Sequence, residues 1–196
     1  MKRINDRRGF SLVELIITIA VMSILAGVTV GAVGYINSGK TKKASAKLNS
    51  KLTYIQTETM TKKGKSYLYL YKTGDGIFYV ITKQDTSGGC VKKSELASLL
   101  ASQGGTELCS SSVNVTGTTA AGDTVKLVNL NDTAATGEAN FLKFGYDKAT
   151  GAYSEGCGYA GESGTPSGFC KEVRLNGKQN FAVQLVEKTG KHYVTN

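Results

Sequence analysis

Between Leu15 and Ile36 the chain runs without a charged residue for about 22 positions, which as a helix at roughly 1.5 Å per residue spans about 30 Å of hydrocarbon. One acid, Glu14, stands at the start of this run, and a carboxylate in hydrocarbon costs about 2.5–3.5 kcal/mol even on lenient insertion scales. A membrane segment that keeps such a group needs a partner for it. Ahead of the run lies a short basic head, MKRINDRRG, in which Lys2, Arg3, Arg7 and Arg8 outweigh Asp6. No Pro falls between Phe10 and Lys63, so the apolar run can continue as one helix of about 50 residues that ends near Gly64. Gly27, Gly31 and Gly34 are its weak points, each costing about 1 kcal/mol relative to Ala.

Beyond Ile36, Ala44, Leu48, Leu52, Ile55 and Met60 recur every three to five positions, and Lys40, Lys43, Lys47 and Lys51 form a second stripe of helical period. Residues 37–63 therefore read as the amphipathic half of the same helix. Charge is uneven along the chain. The net charge of +9 resides in the leader and this lysine-rich stretch, whereas residues 66–196 hold twelve basic and twelve acidic side chains.

From Ser66 the period changes to two: Tyr67, Tyr69 and Tyr71 fall on one face and Leu68 and Leu70 on the other. Residues 72–76 (KTGDG) turn the chain, and residues 77–82 return as a second strand. A short helix is expected over 91–101 and further strands over 113–116, 124–130, 141–146, 172–175, 181–186 and 193–194. The longest loop is expected over 156–168. These elements predict an α+β architecture in which the amphipathic half-helix covers one face of a mostly antiparallel sheet. The tyrosines of YLYLY read as core or subunit contact.

Four cysteines, Cys90, Cys109, Cys157 and Cys170, lie in the C-terminal region. An even count in Gly, Ser and Thr-rich sequence favours two disulfides and an oxidising compartment. Four cysteines allow three pairings, of which the sequence-local one, Cys90 with Cys109 and Cys157 with Cys170, is preferred. No CxxC spacing exists and His192, the single His, is remote, so no structural metal is expected.

The residues Arg8-Gly9-Phe10-Ser11-Leu12-Val13-Glu14-Leu15 resemble the type IV prepilin and pseudopilin family, whose motif is a cleavage Gly, an aromatic, four residues ending in Glu, and a transmembrane helix. The resemblance covers about the first 35 residues. It implies that residues 1–9 are a leader, removed between Gly9 and Phe10 by a membrane-embedded prepilin peptidase on the cytoplasmic side. Phe10 would then be N-methylated. Residues 10–36 would form a transmembrane helix that becomes the filament core, and 66–196 the globular head of a pilin fold. The new Phe10 ammonium would pair with Glu14 of a neighbouring subunit, which makes the acid a register device for assembly. Many members carry Pro about twenty residues into the mature helix; Gly31, flanked by Gly27 and Gly34, stands there instead and would let the helix loosen. Gly27-x-x-x-Gly31 also permits close helix contact.

The function implied is a structural subunit of a type IV pilus, extruded from the cytoplasmic membrane into a helical homo-oligomer at the cell surface. Its partners would be the peptidase, an assembly ATPase, a platform protein and minor pilins. The alternatives are a pseudopilin of a type II secretion or DNA-uptake apparatus and a membrane-tethered binding module. Other patterns in the chain weigh less. Residues 34–41 (GYINSGKT) match a phosphate-binding loop, but the preceding apolar segment is too long for one strand and no second acidic motif follows. The lysine stripe could bind nucleic-acid phosphate in a salt-sensitive way, although a stripe matched to neighbouring subunits or simply solvated is favoured. Sequon patterns at Asn114 and Asn131 carry little weight behind a prokaryotic leader. No nucleophile and base can be assembled, so neither catalysis nor a cofactor is expected.

Overall fold

A computed structural model describes residues 11–84, 90, 92–159 and 169–196, and their side chains except at 28–38, 84, 155 and 157. Packing divides the chain into two compact units, Met1–Asn37 and Ser38–Asn196. Helix α1 runs Leu12–Thr61, followed by β1 (Lys65–Lys72), β2 (Gly76–Gln84), α2 (Lys93–Gln103), β3 (Thr106–Ser110), β4 (Asn114–Thr119) and β5 (Thr124–Leu127). The remaining strands are β6 (Glu138–Ala139), β7 (Phe141–Tyr146), β8 (Tyr153–Tyr159), β9 (Cys170–Asn176), β10 (Phe181–Leu185) and β11 (His192–Thr195). Gly64, at φ 88, takes a left-handed conformation open to glycine and ends α1 three residues before the expected stop.

The expected α+β class holds, with two sheets where one was expected. The first has strand order β3-β2-β1-β7-β8 and the second β11-β10-β9-β4-β5-β6. All named pairings are antiparallel except β5 with β6. Ala44, Leu48, Leu52 and Ile55 of α1 are buried in one cluster with Leu68, Leu70, Leu142 and Phe144 of the first sheet and Val115, Val173, Leu175 and Val183 of the second. Each fully buried Leu or Ile contributes about 1.5–3 kcal/mol relative to exposure. Met60, the last member of the predicted stripe, is 46% exposed, because α1 ends one residue later.

Tyr67, Tyr69 and Tyr71 bury the opposite face of the first sheet with Val80, Phe141 and Tyr159. Helix α2 brings Leu96 into this cluster, which is why both faces of YLYLY are buried. The backbone N–H of Lys92 donates to Glu95 Oε2 at 3.0 Å, and Gly104, at φ 68, ends α2 with its N–H on the Leu100 carbonyl. Lys143 is fully buried here, its Nζ 4.5 Å from the Tyr67 ring centroid and 5.9 Å from that of Tyr159. Aromatic faces carry negative quadrupole density and so accommodate a cation that hydrocarbon would not.

Three strands lie where none was expected: β3, β6 and β8, the last entering the predicted loop 156–168 as far as Tyr159. The predicted pairing of Cys90 with Cys109 is not formed. Both are buried thiols, Cys90 in the tyrosine cluster and Cys109 in the main core, so the first sheet stands between them. Sequence proximity gave no information about face. Burial pushes the Cys109 thiol up to about 11, beyond ordinary thiolate formation.

Candidate functional site

At its N-terminus α1 begins with the Leu15 N–H on the Ser11 carbonyl, and Glu14 lies exposed in the first turn, where the helix dipole favours an anion. Around it the surface is apolar on every side. Leu12, Val13, Leu15, Ile16, Ile17, Ile19, Val21, Met22, Ile24 and Leu25 are all at least half exposed. The two hydroxyls in this stretch satisfy themselves on their own helix, Thr18 Oγ1 donating to Leu15 O and Ser23 Oγ to Ala20 O, both at 2.8 Å. Glu14 is thus the one charged side chain on the described segment Leu12–Gly27. A helix hydrophobic all round belongs in an apolar surrounding.

Gly9 and Phe10, the predicted cleavage and methylation positions, lie outside the described residues. Helix α1 continues unbroken through Gly27, Gly31 and Gly34. Among the described residues no helix is long and apolar enough to cross a membrane. The apolar side chains described, Leu12 to Gly27, cover roughly 24 Å of helix, short of the roughly 30 Å of a bilayer core. The expected span 10–36 extends beyond them at both ends.

The phosphate-loop match falls inside α1, where Lys40 is exposed and Thr41 is buried. A backbone whose N–H groups are committed to helix cannot wrap a phosphate. Two of the four stripe lysines are occupied within the head: Lys47 Nζ donates to the Glu107 carbonyl and lies 5.4 Å from the Tyr79 ring centroid, and Lys51 Nζ lies 5.7 Å from that of Tyr54. Lys40 and Lys43 remain exposed. No group of three or more metal-ligating side chains is found among the described residues.

A second arrangement escaped sequence reasoning. His192 on β11 has Nε2 2.8 Å from Thr53 Oγ1 of α1 and Nδ1 3.2 Å from the Tyr146 hydroxyl and 3.1 Å from the Gly190 carbonyl. Tyr146 in turn donates to the buried Tyr153 hydroxyl at 2.5 Å. Gln56 Nε2 adds bonds to the Gly151 and Gly190 carbonyls. The group ties the last strand to the helix. Burial holds His192 below its ordinary value of 6.5. The folded state therefore favours neutral imidazole, and the unfolded chain takes up the proton first as pH falls. Head stability should be full above about pH 6.5 and decline as pH drops toward 5; His192→Gln should flatten that slope in urea titrations followed by circular dichroism.

Residues 4–30 match the family described as prokaryotic N-terminal methylation motif, the signature of type IV prepilins and pseudopilins. No curated protein and no solved structure matches the chain. The chain thus carries a prepilin-type signature, and that signature marks a class of structural precursors handled by a prepilin peptidase.

Proposed function

We propose that this protein is the structural subunit of a type IV pilus. Prepilin peptidase removes residues 1–9, Phe10 becomes the methylated N-terminus, and the helix from Phe10 to Ile36 first anchors the chain in the cytoplasmic membrane and then packs into a filament core. The observation that carries this reading is Glu14, a single acid five residues after the cleavage Gly, on a helix segment apolar on all sides. Cleavage creates an ammonium at Phe10, and in a filament the ammonium of a neighbouring copy can answer Glu14. The head, residues 66–196 with one face of the amphipathic half-helix (Ala44, Leu48, Leu52 and Ile55) buried in its core, forms the filament surface. An assembly ATPase and a platform protein supply the work of extrusion.

One observation favours a structural over a nucleic-acid role for the lysine stripe: Lys47 and Lys51 are engaged within the head. Immunogold electron microscopy with an antibody to the head tests the assignment. Long surface filaments decorated along their length are expected. Labelled short fibres confined to the envelope would instead make the chain a pseudopilin.

A further inference from the structure

Strand β3 covers only part of its neighbour. It pairs with β2 from Gly76 to Tyr79, and among the described residues no strand pairs with that side of β2 from Val80 to Lys83, although β1 follows the other side as far as Gln84. The hairpin fixes which backbone groups are left over. The Thr73 N–H donates to the Gly76 carbonyl at 2.8 Å, so alternation along the antiparallel ladder turns Phe78, Val80 and Thr82 toward β1 and Tyr79, Ile81 and Lys83 away from it. Glu107 agrees with this phase. It is opposite Phe78, which turns its own carbonyl outward, and Lys47 Nζ takes that carbonyl. A lysine so placed closes the edge of β3 to other chains. The N–H and C=O groups of Ile81 and Lys83 face the same way, and among the described residues nothing closes them.

A cleft of about 580 Å³ runs along this bare stretch. It is lined by Lys51 and Tyr54 of α1, by the bare stretch of β2 itself, and by Gln103 and Thr106, where α2 ends and β3 begins. No acid is among the described residues that line it. Lys83 is paired with Glu58 at 2.6 Å, whereas Lys51 has no acid partner among the described residues and lies 5.7 Å from the ring centroid of Tyr54. Tyr79 and Ile81 pack on the α1 side of the sheet. Residues of an added strand opposite Ile81 and Lys83 would share that face and point toward Lys51.

We propose that the bare stretch of β2 is a docking edge for an extended acidic segment of a partner protein, which adds in line with β3 and carries Asp or Glu at alternate positions. Its backbone answers the N–H and C=O groups of Ile81 and Lys83, and its acids meet Lys51. A nucleic acid suits the cleft less well, because phosphate only accepts hydrogen bonds and would leave both carbonyls unanswered. The groups involved all belong to the unit Ser38–Asn196, so docking does not depend on filament assembly.

Fluorescence anisotropy of the full chain in nonionic detergent at low salt tests this with a labelled hexapeptide of alternating glutamate and valine. Binding with a Kd of about 10–100 µM is expected, and none for the hexapeptide of alternating lysine and valine. Lys51→Glu should weaken binding roughly tenfold. Methylating alternate backbone nitrogens of the peptide removes its strand donors and should abolish binding with the protein unchanged, whereas simple ionic attraction would survive it. No binding of the acidic peptide, or equal binding after methylation, would overturn the proposal. Preferential binding of oligothymidylate would give the cleft to nucleic acid, and self-association that Ile81→Pro abolishes in a folded chain would give it to a second copy; either result would overturn it as well.

Discussion

Glu14→Ala should be processed normally and yield no filaments. The substitution lies on the far side of Phe10 from the scissile bond, so the peptidase still meets Arg8-Gly9-Phe10, and the helix gains rather than loses hydrophobicity. What disappears is the carboxylate that, on the proposed function, answers a neighbour's N-terminal ammonium. Removing one member of a buried ion pair costs about 3–5 kcal/mol, because its partner remains charged and unpaired. Repeated at each subunit contact, that weakens addition roughly a hundredfold or more. Glu14→Gln should fail as well, since it keeps the shape and loses the charge. Immunoblots of sheared surface fractions beside membrane fractions read the result: mature subunit in the membrane and none in the sheared material. Abundant filaments from the Ala variant would remove Glu14 from assembly.

Leu52→Ala should destabilise the head by about 2–5 kcal/mol, the range for deleting a fully buried leucine. Leu52 stands midway along the buried α1 face, between Leu48 and Ile55, and the core around it draws on the helix and both sheets. A cavity at this point cannot close by moving a single side chain. Lys42→Ala, on an exposed position of the same helix, should change stability by no more than about 0.5 kcal/mol. Thermal melts of the unit Ser38–Asn196 compare the two, with a fall of roughly 10 °C expected for the leucine variant. Equal melting temperatures would mean that the half-helix is not part of the head's core.

The parts of the fold that follow from local periodicity were legible in the sequence. Ala44, Leu48, Leu52 and Ile55 share a helical face because their spacing matches 3.6 residues per turn, and YLYLY alternates because strands do. The strands that escaped notice lack such a signal. TELCS in β3 is short and mostly polar, and YSEGCGY in β8 is interrupted by two glycines, so each is held by its neighbour's ladder rather than by its own pattern. Nothing in the pattern FLKFGY marks Lys143 as buried, and the tyrosines of β1 and β8 around it accompany its burial. The face on which a cysteine lies is likewise a property of the sheet, which is why spacing alone did not show that Cys90 and Cys109 belong to different clusters. His192 reaches Thr53 and Tyr146 across long stretches of sequence, and no linear motif announces that. The assembly motif is the opposite case. Its residues are contiguous, so the sequence carries the motif by itself.

N-terminal peptide mass spectrometry of the protein recovered from its own cells tests the processing step on which every later one depends. The mature chain is expected to begin at Phe10 with a methylated amine and to keep the apolar helix from Leu12 onward. A mature chain that begins at Met1, or one cut beyond the apolar run, would contradict the account.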